Sequence, residues 1–249
     1  MKTRVFVLLL SLFMNAALSA ADLTVHAAAS LTNAVREIGG AYEKNNGTKV
    51  QFNFGASNLL VEQIEERVPG DLFFSADEAK MDDLDKKGLL ISETRRSLLS
   101  NVLVIVVAAD ATLVPKSVSD LSKPEFKKLA LAETHVVPAG IYAREYLVKV
   151  GLWDTLTARV VPTENVRTAL AAVESGNVEA GFVYKTDAMI SKKVKIAVEI
   201  PASEGPKISY PVAVLKSSKD PESAKKFADY LAGPEAKSIF EKMGFTVTK

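Results

Sequence analysis

The sequence predicts an α/β fold with mostly parallel sheets, and three observations predict it. Strand-like and helix-like segments alternate from residue 23 onward, the pattern of sheets covered by helices. Residues 101–108 (Asn-Val-Leu-Val-Ile-Val-Val-Ala) are almost wholly β-branched and apolar, as a central strand buried on both faces is. Strand-like runs twice end in small residues and a serine just before a helical pattern begins, at Ala27-Ala28-Ala29-Ser30 and at Gly55-Ala56-Ser57.

Taken in order, Leu23-Thr24-Val25-His26 reads as a strand. Leu31, Ala34, Val35, Ile38 and Tyr42 share one helical face, which places Ser30 at an N-cap. Residues 49–54 alternate apolar and polar, and a helix with Leu60, Val61, Ile64 and Val68 on one face follows. Pro69-Gly70 ends it. Residues 71–76 read as a buried strand, and Asp77 caps a helix containing Met81 and Leu84 that stops at Gly88. Residues 128–132 form another strand. Pro138 precedes a helix over about 141–150, stopped by Gly151. Pro162-Thr163-Glu164-Asn165 is a loop ending in an Asn N-cap, and Val166, Ala169, Leu170 and Val173 mark the next helix. Residues 180–184 form a strand ending in Tyr184, and 194–200 and 209–215 are the last strands. Asp220-Pro221 and Gly233-Pro234 open two final helices, cap then proline in the first case. No repeat of fixed period and no low-complexity segment interrupts this order.

Composition narrows the class. Met1 to Arg4 is basic, residues 5–14 are apolar, and small residues run to Ala21. That is the layout of a secretory signal peptide over residues 1–21, too short in its apolar part to span a bilayer comfortably. Cleavage after Ser19 or Ala20 fits the same pattern. Without Lys2 and Arg4, 29 basic residues face 30 acidic ones, a net charge of about −1. There is no basic excess for nucleic acid and no polybasic patch for a membrane. The chain has no cysteine and two histidines. No lipid can be attached through a thiol, a structural zinc site is disfavoured, and an exported chain without disulfides relies on its core.

Four positions stand where ligands sit in open α/β sheets, beyond strand carboxyl ends and against helix N-termini: Ser30, Ser57, the Pro138-Ala139-Gly140 turn and Asn165-Val166. Helix starts leave N–H groups unpaired and carry the positive end of the peptide dipoles, so they suit anions. Two positions lie in the first third of the chain and two in the middle, which suggests two lobes facing across a cleft. Each residue also has a plainer reading. Either serine can merely cap its helix, Ala139 is small beside Gly140, Val166 reads as core, and Tyr184 as strand-end packing. Arg167 reads as solvated or paired with Glu164. A hydrolase would need Ser30 or Ser57 as nucleophile with His26 or His135 as base. Neither serine lies in Gly-x-Ser-x-Gly, and no motif ties either histidine to a carboxylate.

Several segments resemble the periplasmic molybdate-binding proteins of ABC transporters. They are Ala27-Ala28-Ala29-Ser30-Leu31-Thr32-Asn33-Ala34, Phe54-Gly55-Ala56-Ser57, and Pro69-Gly70-Asp71-Leu72-Phe73-Phe74-Ser75-Ala76-Asp77. Further on come Val137-Pro138-Ala139-Gly140-Ile141-Tyr142-Ala143, Glu164-Asn165-Val166-Arg167, Gly181-Phe182-Val183-Tyr184-Lys185-Thr186-Asp187-Ala188 and Tyr210-Pro211-Val212-Ala213-Val214. Their joint order and spacing span nearly the whole chain beyond residue 21. The resemblance implies a two-lobed periplasmic binding protein fold, each lobe a sheet flanked by helices, with the ligand in the cleft. It implies lobe I from residues 22–106 plus 201–249 and lobe II from 107–200. It further implies a molybdate and tungstate site of Ser30, Ser57, Ala139, Val166 and Tyr184, with no cofactor and no direct metal-ion ligand. The implied partners are a transporter permease with its ATPase, and the protein is a periplasmic monomer rather than an enzyme. Asn58 departs from the family, which often carries Ser or Gly there, and bears on the pocket rim. Another oxyanion, such as sulfate, is the alternative ligand. Donor-only sites disfavour protonated phosphate, whereas sulfate must be rejected by size.

Overall fold

A computed structural model describes residues 22–248. The expected signal segment, 1–21, lies outside the described residues. In chain order the first elements are β1 (Leu23–Ala28), α1 (Thr32–Asn46), β2 (Val50–Gly55), α2 (Ser57–Glu65), β3 (Leu72–Phe74), α3 (Glu78–Lys86), β4 (Arg96–Ser100) and β5 (Leu103–Ala108). Then come β6 (Leu129–Ala132), α4 (Pro138–Lys149), α5 (Trp153–Leu156), β7 (Val160–Thr163), α6 (Val166–Glu174), β8 (Ala180–Tyr184), α7 (Lys185–Met189) and β9 (Val194–Glu199). The chain closes with β10 (Tyr210–Val214), α8 (Pro221–Leu231), α9 (Pro234–Lys242) and β11 (Thr246–Val247).

The strands form two sheets, one ordered β11-β4-β10-β3-β1-β2 and the other β7-β6-β8-β5-β9. Each sheet with its helices is one lobe of a two-lobed α/β fold. Within the lobes the sheets are mixed. β1 pairs in parallel with β2 and β3, and β6 with β7 and β8, while β4, β5, β9, β10 and β11 pair antiparallel. Of the strands beside the crossings between lobes, β5 and β10 thus run against the βαβ strands, while β4 and β9 run with them. The chain passes from the first sheet to the second between β4 and β5 and returns between β9 and β10. A division at residue 106 falls inside β5, which lies whole in the second sheet.

Most expected helices and strands form for the expected reasons. However, α2 ends at Glu65 and leaves Val68 exposed beyond it. Pro162 and Thr163, expected in a loop, belong to β7 because they pair with β6. α1 buries Ala34, Val35, Ile38 and Tyr42. Asp77 caps α3 by accepting from the Lys80 N–H at 2.8 Å, and Asp220 caps α8 with Pro221 in the first helical position. Gly151 and Gly176 take the left-handed φ of +72° and +70° that end helices. Pro162 sits in β7 at the sheet edge, where a missing N–H breaks no ladder. β5 is interior, between β8 and β9, and its Leu103 to Val107 are buried. Leu23, Val25 and Phe74 of the first sheet and Ile105, Leu131 and Phe182 of the second belong to one continuous core.

Candidate ligand-binding cleft

The carboxyl ends of β1, β2, β6 and β8 all point at one cleft between the lobes. It is lined by Ser30, Ser57 and Ala76 from the first lobe and by Pro138, Ala139, Asn165, Val166 and Tyr184 from the second, with small neighbours Ala28, Ala29, Gly55 and Ala56. The structure therefore brings all five sequence-singled residues together. The cleft encloses about 230 Å³ of free space, its open mouth included. Among the described residues, no charged one lines it.

Ser30 does not cap a helix, contrary to the cap reading. It lies inside a 3-10 turn, Ala29–Leu31, that precedes α1, and no side chain caps that turn. Its hydroxyl instead lies 3.2 Å from the Tyr210 hydroxyl. Ser57 is the first residue of α2, after an extended Ala56, and also caps nothing. Its Oγ accepts from the Ala76 N–H at 3.0 Å. Both serines are buried, at 3% and 1% exposure, so each hydroxyl is a built part of the cleft wall.

In the second lobe α4 begins at Pro138, three residues earlier than expected. Proline fits the first helical position because the N–H it lacks has no intrahelical partner there. Ala139 and Gly140 thus sit in the first turn with N–H groups that the helix cannot use. Gly140 is required: a Cβ there would run into the carbonyl oxygens of Ala132 and Glu133 at the end of β6. Asn165 caps α6 as expected, its Oδ1 accepting from Arg167 N–H at 2.8 Å and Thr168 N–H at 3.1 Å. The cap leaves the Val166 N–H untaken, and Val166 lines the cleft.

Tyr184 ends β8, is 1% exposed, and its hydroxyl has no hydrogen-bond partner among the described residues. Burial raises this phenol well above its ordinary pKa, so it stays a neutral O–H. A buried O–H left unpaired by the protein at a cleft is a donor available to a ligand.

Arg167 corrects the reading that had it solvated or paired with Glu164. Its Nε donates to Asp187 in the same lobe, its Nη1 to Asn33 Oδ1 at 2.9 Å, and its Nη2 to the Ser30 carbonyl at 3.2 Å. Asn33 and Ser30 belong to the first lobe, so this one side chain ties the lobes beside the cleft. Asp187 is fully buried. Burial raises its carboxyl above the usual carboxylate range, and the Arg167 charge pulls it partly back. No sequence spacing revealed this pair, because its partners lie 20, 134 and 137 residues from Arg167.

The hydrolase residues do not assemble. His26 is buried in β1, with Nε2 at 3.1 Å from the Pro69 carbonyl and Nδ1 at 2.8 Å from Asn53 Nδ2. Burial lowers its pKa. His135 is tied to a carboxylate after all, with Nδ1 at 2.8 Å from Glu133, but it lines a separate surface pocket. Asn58 is absent from the cleft lining, and its Oδ1 is buried without a hydrogen-bond partner among the described residues.

Known proteins resemble this chain in sequence and fold. The family model described as a bacterial extracellular solute-binding protein matches residues 23–246. The molybdate-binding protein ModA of Escherichia coli strain K12 is 42% identical, across 96% of this chain and 98% of that one. The ModA of Haemophilus influenzae is 36% identical, across 92% and 91%. The solved structure of the Azotobacter vinelandii periplasmic molybdate-binding protein superposes with a TM-score of 0.83 at 25% identity, covering 92% of this chain and all of that one. Likeness over nearly the full length, together with two lobes closing on a small uncharged cleft, has one meaning: the chain belongs to the family of bacterial extracellular solute-binding proteins.

Proposed function

We propose that the cleft binds molybdate, with tungstate as a second ligand, and that the protein delivers it to an ABC transporter permease and its ATPase. The observation that carries this reading is the lining itself. Ser30, Ser57, Ala139, Val166 and Tyr184, which can offer three hydroxyls and two backbone N–H groups, line one small cleft that no charged side chain among the described residues lines. Molybdate and tungstate are tetrahedral dianions near neutral pH, with four acceptor oxygens and no proton, and a donor-only wall suits them.

Each donor to a charged acceptor contributes roughly 1.5–3 kcal/mol, and each helix N-terminus roughly 0.3–2 kcal/mol. Several of these acting together offset the dehydration of a dianion. The five residues would hold the oxygens directly. Arg167 would hold the lobes shut around them, each lobe moving as one body about the two crossings beside residues 101–102 and 200–209. The oxyanion is cargo, so no cofactor enters. Residues 1–21 would direct export, and the protein would act as a monomer in the periplasm. The relatives named above support the ligand and the transporter.

A thermal-shift panel on the protein without its first 21 residues tests the reading. A ligand at a hundred times its Kd stabilises the folded state by about 2.7 kcal/mol. Molybdate and tungstate should raise the melting temperature far more than sulfate. Equal shifts for all three would overturn the selectivity, and no shift with molybdate would overturn the ligand.

A further inference from the structure

Behind Ser30 lies a buried chain of side chains that runs to the crossing between the lobes. Tyr210 opens β10 in the first sheet, is fully buried, and its hydroxyl lies 3.2 Å from Ser30 Oγ. Asn101, in the crossing between β4 and β5, donates from Nδ2 to Tyr210 Oη at 3.2 Å and to Thr186 Oγ1 at 2.9 Å. Its Oδ1 accepts from the Val102 N–H at 2.8 Å. That last bond fixes the orientation of the Asn101 amide. A backbone amide can only donate, so the oxygen of the Asn101 side chain faces Val102 and its NH₂ faces Tyr210.

With its oxygen accepting from Asn101, the Tyr210 hydroxyl has one proton and, in the contacts around it, one acceptor, Ser30 Oγ. Tyr210 therefore donates to Ser30, and burial raises the Tyr210 phenol so that it keeps this proton. Ser30 is left with its own O–H directed at the cleft. Ser57 reaches the same state by a shorter route, because its Oγ accepts from the Ala76 N–H and its O–H is free. Each serine keeps a second lone pair, but its proton is turned toward the cleft, so it meets a ligand donor-first.

Building on the molybdate reading, we propose that Tyr210 and Asn101 are specificity-determining residues that hold Ser30 as a donor. They favour tetrahedral oxyanions that carry no proton over those that keep one near neutral pH, hydrogenphosphate and hydrogenarsenate. A ligand O–H presented to a donating Ser30 sets two hydrogens against each other and leaves one buried donor unpaired, which is costly. Phenylalanine in place of Tyr210 would keep its edge-on ring contacts, with centroids 5.9 Å from Tyr184 and 5.5 Å from Phe245, and remove only the hydroxyl. Ser30 would then be free to rotate and to accept. Asn101→Asp would do more, since a carboxylate accepts from the Tyr210 hydroxyl and reverses the chain, leaving Ser30 to donate backward.

The test is competitive calorimetry of the purified protein with molybdate, phosphate and arsenate at one neutral pH. It would use the native sequence, Tyr210→Phe and Asn101→Asp, each checked for folding by circular dichroism. The native protein should bind molybdate and reject phosphate and arsenate. In Tyr210→Phe the ratio of molybdate to phosphate affinity should fall about tenfold or more, the worth of one charge-assisted donor, and arsenate should follow phosphate. Asn101→Asp should lower the ratio at least as far, and it decides the matter if Tyr210→Phe does not fold. A variant that weakens all three anions by the same factor overturns the proposal, as does a native protein that binds phosphate as well as molybdate. A native protein that binds no molybdate overturns the underlying reading instead.

Discussion

The two lobes meet the cleft in different chemical states. The first presents two serine hydroxyls, each already bonded within its own lobe, Ser57 through Ala76 and Ser30 through Tyr210. The second presents amides at two helix starts and the Tyr184 hydroxyl, which has no hydrogen-bond partner among the described residues. The first lobe's hydroxyls are tied to their own lobe, whereas the second lobe's phenol is left available as a donor. The contrast implies an order of events under the proposed function. An anion docks on the prepared serines, and the second lobe closes because closure gives its donors an acceptor.

The largest expected effect strikes the prepared side. Ser30→Ala with Ser57→Ala removes two donors worth roughly 1.5–3 kcal/mol each, so molybdate affinity should drop by about 10² to 10⁴. Circular dichroism should show an intact fold, and unchanged calorimetric binding would remove these serines from the site.

The tie between the lobes comes next. Arg167→Met leaves Asp187 buried and charged, and breaking such a pair costs about 3 kcal/mol or more of stability. Adding Asp187→Asn should restore most of that stability without restoring affinity, because the bonds to Asn33 and the Ser30 carbonyl stay lost. A double variant that binds like the native protein would show that closure does not need Arg167.

Tyr184→Phe sharpens the comparison on the other side. Ligand affinity should fall about tenfold to a hundredfold, while the melting temperature without ligand stays level or rises, since the lost hydroxyl satisfied nothing in the structure. A fall in unliganded stability matching the fall in affinity would mean that the hydroxyl serves the fold.

The smallest effect is a pH dependence. The folded-state pKa of Asp187 is raised, with burial as the leading cause. Its charge therefore costs stability above that raised value, and the cost is relieved as pH falls through it. Melting curves should show the native protein gaining stability relative to Asp187→Asn over that acidic step. A pH-independent difference would mean that Asp187 keeps an ordinary pKa.

Much of the architecture was legible in local sequence, for identifiable reasons. Apolar spacing marked α1, α6 and α8, the Asn165 and Asp220 caps declared themselves, and all five expected cleft residues do line one cleft. What escaped was set by distant parts of the chain. β4 and β11 complete the first sheet through antiparallel pairing to β10 and to each other, and Arg96-Ser97-Leu98-Leu99-Ser100 carries only a weak strand pattern. Tyr210 read as an ordinary strand residue because its hydroxyl partner lies 180 residues away. Asn101 left the one visible hint, a polar residue opening an otherwise apolar run, and its partners Thr186 and Tyr210 lie 85 and 109 residues on. Ser30 looked like a cap because a strand-to-helix junction with a serine has the same local pattern whether the hydroxyl bonds its own backbone or another strand.

Because Ala139 and Val166 would offer the ion their main chain, most side-chain exchanges there leave the donor in place. A saturation-mutagenesis survey of uptake should therefore tolerate small apolar residues at these two buried positions and lose uptake where a hydroxyl position loses its O–H. Proline at Val166 is the exception. The first helical position tolerates it, the extended Asn165 before it accommodates the ring, and the donor that is lost is the Val166 N–H.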